Sequence, residues 1–217
     1  GILIVSSGAI ALGKSELGLQ NKSLKLSEKQ AAAATGQILL AKAWKSIFEE
    51  IDIKCGQILV GHSDLETRRN AMNTRATLNT LLKLNVIPII NENDTVATLE
   101  IRYGDNDQLA AKVCELVSAN CLILFSDVDG LYDDDPKENP NAKLVKIIRE
   151  ITPDIEMLSN KKNSEHGSGG IETKIKAAKV CLKNNCNTII ANGMNDRPIS
   201  IMKKSDNYTI FLANEHA

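Results

Sequence analysis

Aromatic residues and one-sided charge are both scarce in this chain. Phe, Trp and Tyr make up 3% of the 217 residues, and the net charge is only −1, with acidic and basic residues interspersed. A nucleic-acid-binding surface needs a basic patch, and binding of single strands also needs aromatic side chains on which bases can stack. The composition therefore argues against a nucleic-acid partner.

Long apolar segments are absent as well. No apolar run approaches the roughly 20 residues that a membrane-spanning helix requires, and the first residues lack the pattern of a signal peptide.

The five cysteines form no Cys-x-x-Cys pair and are spread over predicted helices and strands. This distribution favours free, buried thiols in a reducing compartment. We therefore expect a cytoplasmic protein that makes no membrane contact.

The most informative stretch begins with an apolar run at residues 86–90. The run is rich in β-branched side chains, which is typical of a strand buried on both faces. It ends in Asn91-Glu92-Asn93-Asp94, and a second polar cluster, Gly104-Asp105-Asn106-Asp107, precedes a predicted helix. Asp105 and Gln108 have the spacing of an acidic capping box. One polar cluster that ends a strand and one that begins a helix predict two sides of a binding site.

Strand-like and helix-like segments alternate along the chain. This order predicts an α/β fold, a three-layer α-β-α sandwich with a mainly parallel central sheet, in one domain over residues 1–217. The predicted strands cover residues 2–5, 57–60, 86–90, 121–125 and 188–191, with an edge strand at 208–211. Ligands of such sheets bind beyond the carboxyl ends of the strands. The chain has Ser6-Ser7-Gly8, residues 91–94, Ser126-Asp127 and Asn192-Gly193 at these ends, which predicts one polar crevice.

Capping-box spacing from Ser27 to Gln30 predicts a long helix that ends at about Glu50. Trp44 and Phe48 are four residues apart in this helix and therefore share one face. We expect both rings to lie in the core.

A glycine-rich segment precedes the last long predicted helix. It ends in His166-Gly167-Ser168-Gly169-Gly170, and Lys174 lies in or just beyond the first turn of the helix. Glycines let backbone N–H groups approach phosphate oxygens, while a helix N-terminus and a lysine both attract negative charge. A linker before a helix has the same composition, so the residues alone leave both interpretations open.

Six short motifs follow one another along the chain. They are Ser6-Ser7-Gly8-Ala9-Ile10-Ala11, Ala34-Thr35-Gly36-Gln37, Asn91-Glu92-Asn93-Asp94, Gly104-Asp105-Asn106-Asp107, Ser126-Asp127-Val128-Asp129-Gly130-Leu131-Tyr132 and Gly167-Ser168-Gly169-Gly170-Ile171-Glu172-Thr173-Lys174. In this order the motifs closely resemble the amino acid kinase family, and within it the kinases that phosphorylate free glutamate. The resemblance extends over essentially the whole chain, and the pairing of the third and fourth motifs separates the glutamate kinases from their relatives.

This resemblance implies that the γ-phosphoryl group of ATP is transferred, with Mg²⁺, to the side-chain carboxylate of L-glutamate. The product would be L-glutamyl 5-phosphate, in the first step of proline biosynthesis. The implied glutamate-binding residues are Ser7, Asn91, Asp94, Asp105 and Asn106. The implied nucleotide-binding residues are Ser126, Asp127, Ser168, Gly169, Gly170, Ile171, Glu172, Thr173 and Lys174. Lys174 matches a lysine that stabilises the transferring phosphoryl group, Asp107 matches an aspartate that holds the catalytic lysines, and no residue is assigned as a direct metal ligand.

Two parts of the family pattern have no counterpart in these residues. The family has an upstream strand with a glycine turn and a second catalytic lysine, whereas this chain opens within a strand at Gly1, so we expect that earlier residues are missing. The family often carries a C-terminal PUA domain of the RNA-modification type, which we expect to be missing from these residues, either by truncation or because this is the short form, since the chain ends soon after Phe211. The resemblance also implies a dimer or tetramer, and it leaves feedback inhibition by proline open.

Two other functions compete with glutamate phosphorylation. One is a different amino acid kinase activity, such as that of acetylglutamate kinase or aspartokinase. The other is a non-catalytic module that senses glutamate or proline.

Overall fold

The computed structural model describes residues 1–96, 105–134, 136, 138–160, 170–194 and 196–213, with the backbone alone at residues 105, 159 and 160. The chain divides into two compact units, Gly1–Arg102 (unit 1) and Tyr103–Ala217 (unit 2). None of the helices in the described ranges combines the length and hydrophobicity needed to cross a bilayer. One domain over residues 1–217 stays a prediction.

The described part of unit 1 is built on a parallel three-stranded sheet. Its elements are β1 (Ile4–Val5), α1 (Ala9–Glu16), α2 (Leu26–Glu49), β2 (Lys54–Val60), α3 (His62–Glu66), α4 (Arg68–Lys83), β3 (Val86–Glu92) and a 3₁₀ helix at Asp94–Val96. The strand order is β1-β3-β2, so the apolar run of β3 occupies the middle. Residues 88–91 of β3 are buried, which confirms the predicted buried strand.

Helices cover both faces of this sheet. Cys55 and Gln57 of β2 line a cavity together with residues of α2. Gly56 lies between them, and a Cβ added to it would meet Leu81 of α4 at 3.5 Å. Successive residues of a strand point to opposite faces, so α2 and α4 lie on opposite sides of the sheet. Unit 1 therefore has helix, sheet and helix layers.

The described part of unit 2 contains a mixed four-stranded sheet. Its elements are α5 (Asp105–Val117), β4 (Cys121–Ser126), β5 (Ile147–Ile148), α6 (Pro153–Asn160), α7 (Ile171–Lys183), β6 (Asn187–Asn192), α8 (Pro198–Ser205) and β7 (Tyr208–Phe211). The strand order is β4-β6-β7-β5. The β4–β6 and β5–β7 pairs are parallel, and the β6–β7 pair is antiparallel. An α/β fold with mainly parallel sheets is thus confirmed.

Two local predictions are wrong. Tyr208–Phe211 is not an edge strand, because β7 pairs with β6 on one side and with β5 on the other, and Phe211 is fully buried. The capping residue of α2 is not Ser27, because α2 already begins at Leu26. Instead, the Lys25 backbone N–H donates to the Glu28 carboxylate over 2.8 Å, so the capping box of α2 lies two residues earlier than predicted.

Candidate functional site

The carboxyl ends of β1 and β3 lie side by side in unit 1. Val5 pairs with Ile90 in the parallel register, and the Ser6 N–H extends this pairing by donating to the Ile90 carbonyl over 2.8 Å. Ser6 and Asn91 therefore follow neighbouring strands at one edge of the sheet. For these two strand ends the predicted proximity is confirmed.

Hydrogen bonds between uncharged side chains connect α2 to both strand ends. Trp44 Nε1 donates to Ser6 Oγ over 2.8 Å, and Asn91 Nδ2 donates to Gln37 Oε1 over 2.7 Å. The Glu92 backbone N–H donates to Asn91 Oδ1 over 2.9 Å, and Asn91 is buried. Asn91 thus fixes the end of β3 from inside the unit, while its contact with glutamate stays a prediction.

A cavity of about 120 Å³ lies between α2 and the sheet of unit 1, lined among others by Ser6, Gln37, Trp44 and Asn91. The Trp44 ring stacks on Phe48 as a core residue would, with centroids 5.9 Å apart. Trp44 is only half-buried, however, so its assignment to the core is incomplete. Gln37 and Trp44 are seven residues apart, which places them on one face of a helix. That spacing is the signal from which their shared role could have been predicted.

Ser7 and Asp94 follow the carboxyl ends of β1 and β3. Ser7 is exposed and precedes Gly8, whose φ of 102° lies in the region that favours glycine. Asp94 is half-buried and begins the 3₁₀ helix. The Asn93 N–H just before it donates to the Val60 carbonyl over 3.1 Å. Binding of glutamate by Ser7 and Asp94 stays a prediction.

Two glycines allow α1 to pack directly on the backbone of α2. A Cβ at Gly36 would lie 1.8 Å from the Ala9 carbonyl oxygen, and one at Gly13 would lie 1.7 Å from the Ala32 carbonyl oxygen. Both distances are far below any real contact, so neither position accepts a larger residue unless the helices move apart. This packing is a physical reason for the glycine in the Ala34–Gln37 motif, because it sets α1 and the Ser6–Gly8 turn against α2.

A buried ion pair lies at the start of α7 in unit 2. Lys174 is 5% exposed, and its Nζ is 3.1 Å from Asp107 Oδ2 on α5. The Thr173 hydroxyl donates to the same oxygen over 2.7 Å. A buried charge must be paired and hydrogen-bonded to be tolerated. Asp107 therefore fixes the Lys174 ammonium group, whereas the catalytic roles of the two residues stay predictions.

Gln108 connects the same two helices. Its Nε2 donates to the Thr173 carbonyl over 2.9 Å, and α5 already includes Asp105 as its first residue. Asp105 is therefore the first residue of α5 and does not precede it, and the Gln108 amide group tethers α5 to α7, while the capping box of these two residues stays a prediction. Asp105 and Asn106 form the start of α5, and their contact with glutamate stays a prediction.

The predicted nucleotide-binding residues of unit 2 lie at two places. Ser126 ends β4 opposite Asn192 of β6, and its hydroxyl donates to the exposed Asp127 carboxylate over 3.2 Å. Gly170 immediately precedes α7, whereas Ser168 and Gly169 lie outside the described residues.

The first residues of α7 differ in what they can offer a ligand. Ile171 is 6% exposed and has an apolar side chain, so the backbone N–H is the only group with which it could donate to a ligand. Glu172 is exposed and pairs with Lys176 over 2.6 Å. Lys174 is the buried cation already described.

Tyr132 lies in the segment after β4, and its hydroxyl donates to Asp129 Oδ2 over 3.3 Å. Burial raises the pKa of Tyr132, and the negative charge of Asp129 raises it further. The phenol therefore stays protonated and acts as a donor that stabilises this segment.

Comparison with known proteins identifies the sequence relationship. The amino acid kinase family matches residues 1–192. The chain is 49% identical over 213 residues to glutamate 5-kinase of Paramagnetospirillum magneticum, covering 98% of this chain and 57% of the relative. It is 54% identical over 199 residues to glutamate 5-kinase of Rhizobium etli, covering 92% of this chain and 51% of the relative. The chain thus spans about half the length of these curated relatives.

Solved structures of more distant proteins share the fold. Carbamate kinase from Giardia lamblia superimposes with a TM-score of 0.62 at 13% identity, covering 98% of this chain and 84% of that one. Isopentenyl phosphate kinase of T. acidophilum superimposes with a TM-score of 0.60 at 16% identity, covering 97% and 83%. From the family match and the shared fold together, the chain belongs to the amino acid kinase family.

Proposed function

We propose that the chain carries the kinase region of an enzyme that phosphorylates the side-chain carboxylate of L-glutamate with ATP, giving L-glutamyl 5-phosphate. The observation that carries the proposal is the buried Lys174–Asp107 pair at the start of α7. The glutamate 5-kinases at 49% and 54% identity support the choice of substrate. The three-layer α-β-α sandwich belongs to the same proposal and is supported by the helices on both faces of the unit 1 sheet.

Lys174 is suited to stabilise a transferring phosphoryl group. Phosphoryl transfer requires alignment of the reactants and neutralisation of negative charge that spreads over the phosphoryl oxygens. An ammonium group held at 3.1 Å by a carboxylate in a buried setting is already oriented, so little reorganisation is needed during the reaction. We assign the positioning of Lys174 to Asp107, with the Thr173 hydroxyl holding the carboxylate.

The start of α7 is suited to bind phosphate oxygens. The first backbone N–H groups of a helix lack partners within the helix, and the helix dipole makes this end positive. Gly170 lies at this end, and a Cβ added there would meet no atom of the described residues within 4 Å. We assign phosphate binding to residues 170–174, with Ser126 and Asp127 also in contact with the nucleotide. Mg²⁺, which offsets phosphate charge in such reactions, would accompany the nucleotide.

In unit 1 we assign the amino acid to Ser7 and Asp94. The Asp94 carboxylate would pair with the α-ammonium group of glutamate, and the Ser7 hydroxyl would donate to a carboxylate oxygen. The exposure of Ser7 and the partial exposure of Asp94 support these roles, because a ligand can reach both side chains.

Trapping with hydroxylamine tests the proposal, since an acyl phosphate reacts with it to give a hydroxamate. The full-length gene product with ATP and Mg²⁺ should form hydroxamate and ADP from L-glutamate, but not from N-acetylglutamate or aspartate. Hydroxamate from one of those acids alone would establish a different amino acid kinase. Calorimetric binding of glutamate and nucleotide without turnover would establish a sensing module. Proline inhibition and assembly into a dimer or tetramer stay predictions, which the same assay with added proline and a mass measurement in solution can check.

A further inference from the structure

Three cysteines that are far apart in the sequence converge in unit 2. Cys114 lies near the end of α5, Cys181 near the end of α7, and Cys186 just before β6. All three are buried, at 8%, 1% and 1% exposure. Their Sγ atoms all lie within 4.8 Å of one another, and none of them is in a disulfide.

This cluster lies at the end of the sheet opposite the proposed nucleotide contacts. Cys121 and Asn187 begin the paired strands β4 and β6, whereas Ser126 and Asn192 end them. Five residue steps at about 3.3 Å per step separate the two ends by about 16 Å. The cluster therefore has no part in the phosphoryl transfer proposed above.

The arrangement matches the geometry of a thiolate metal centre. A zinc–sulfur bond is about 2.3 Å long, so sulfurs that share one tetrahedral ion lie about 3.8 Å apart. Separations within 4.8 Å reach this value with small side-chain adjustments.

A second buried group points to the same position. Thr188 of β6 is fully buried, and its hydroxyl lies beside the Cys181 thiol. Among the residues that the structure describes, Thr188 Oγ1 has no hydrogen-bond partner of normal geometry. Buried hydroxyls are normally satisfied, and an ion at the cysteines would give this oxygen a neighbour to which it can bind.

We propose that Cys114, Cys181 and Cys186 form a binding site for a thiophilic d¹⁰ cation of the Zn²⁺ class, with Thr188 beside it. Soft thiolate ligands select such ions. Because the three sulfurs come from the ends of two helices and the start of a strand, one ion would cross-link α5, α7 and β6. Its effect would be on the stability of unit 2.

Titration of the reduced, metal-free chain with Cd²⁺ tests this proposal. We expect one equivalent to bind, with a near-ultraviolet sulfur-to-metal charge-transfer band, a ¹¹³Cd chemical shift typical of three thiolates, and a raised Tm. Cys181→Ser should abolish the band and the rise in Tm, whereas Cys55→Ser, which changes a cysteine of unit 1, should retain both. Circular dichroism of each metal-free variant confirms that it is folded.

The Cd²⁺ titration of the unsubstituted chain tests the site even if a variant fails to fold. Absence of stoichiometric binding, or a ¹¹³Cd shift that indicates fewer than three sulfurs, would overturn the site. An unchanged band in folded Cys181→Ser, or equal loss in Cys55→Ser, would do the same. A disulfide between any two of the three cysteines in the protein as isolated would also contradict the proposal.

Discussion

Units 1 and 2 both present polar side chains at the carboxyl ends of parallel strands, but they hold these ends by different interactions. In unit 1 the described contacts with α2 are neutral, with Trp44 on Ser6 and Asn91 on Gln37. In unit 2 the helix beside the strand ends carries a buried charge pair, Lys174 with Asp107. A neutral hydrogen bond contributes about 1 kcal/mol, whereas loss of one partner of a buried ion pair costs about 3–5 kcal/mol.

This difference separates two tasks. A neutral network fixes the shape of a strand end without adding charge, which suits the selection of a small amino acid. A fixed cation adds charge at a defined point, which suits a reaction in which negative charge spreads over phosphoryl oxygens. If this division is right, substitutions in unit 2 should reduce turnover, and substitutions in unit 1 should change stability or amino acid affinity.

Lys174→Ala should have the largest effect. Loss of one charged group that stabilises a transition state typically lowers kcat by about 100-fold or more, while the KM for glutamate should change little. The measurement is the hydroxamate assay on the full-length gene product. Lys179→Ala is the matched control, because Lys179 is an exposed lysine of the same helix that pairs with Glu156. An unchanged kcat in a folded Lys174→Ala protein would show that Lys174 takes no part in the reaction.

Gly36→Ala should have the second largest effect, on stability. The added methyl group would meet the Ala9 carbonyl oxygen at 1.8 Å, so α1 must move, and we expect the free energy of unfolding to fall by about 3 kcal/mol. Urea unfolding measures this change. Gly56→Ala is the control, since its added methyl group meets side chains of unit 1 at no less than 3.5 Å. Equal losses in the two variants would show that close helix packing is not the cause.

The contrast between local and non-local signals also explains how much could be predicted from the sequence. The strands β3, β4 and β6 are apolar runs whose position can be recognised locally. The place of β7 inside its sheet could not be predicted, because it depends on pairing with the two residues of β5, Ile147 and Ile148. Helix α8 has a local signal as well, because Pro198 at its first position is a known start signal.

The same reasoning applies to the candidate site. Polar residues after β1 and β3 were predicted from strand ends alone. The burial of Lys174 could not be predicted, because lysines are rarely buried and its partner Asp107 lies 67 positions earlier. The three-cysteine cluster could not be predicted for a similar reason, since its members come from three different parts of the fold and form no sequence motif.

Asp94→Ala should weaken glutamate binding and spare the nucleotide. A hydrogen bond to a charged group contributes about 2 kcal/mol, which corresponds to about a 30-fold rise in the KM for glutamate. Initial rates at varied glutamate and varied ATP give the two KM values separately. Glu50→Ala, which removes an exposed carboxylate of the same unit, controls for loss of surface charge. A parallel rise in the KM for ATP would contradict the assignment of Asp94 to the amino acid.

The hydrogen bond between Trp44 and Ser6 should give the smallest effect, and a double-mutant cycle isolates it. Trp44→Phe keeps a ring that can stack on Phe48 but removes the Nε1–H donor, and Ser6→Ala removes the acceptor at 2.8 Å. The two substitutions should be non-additive by about 1 kcal/mol in the free energy of unfolding, because the second loses nothing further once the bond is broken. Full additivity would mean that packing of α2, and not this bond, holds the end of β1. In that case the neutral network of unit 1 would be a consequence of the fold, and only the charge pair of unit 2 would remain as an interaction that fixes a strand-end site.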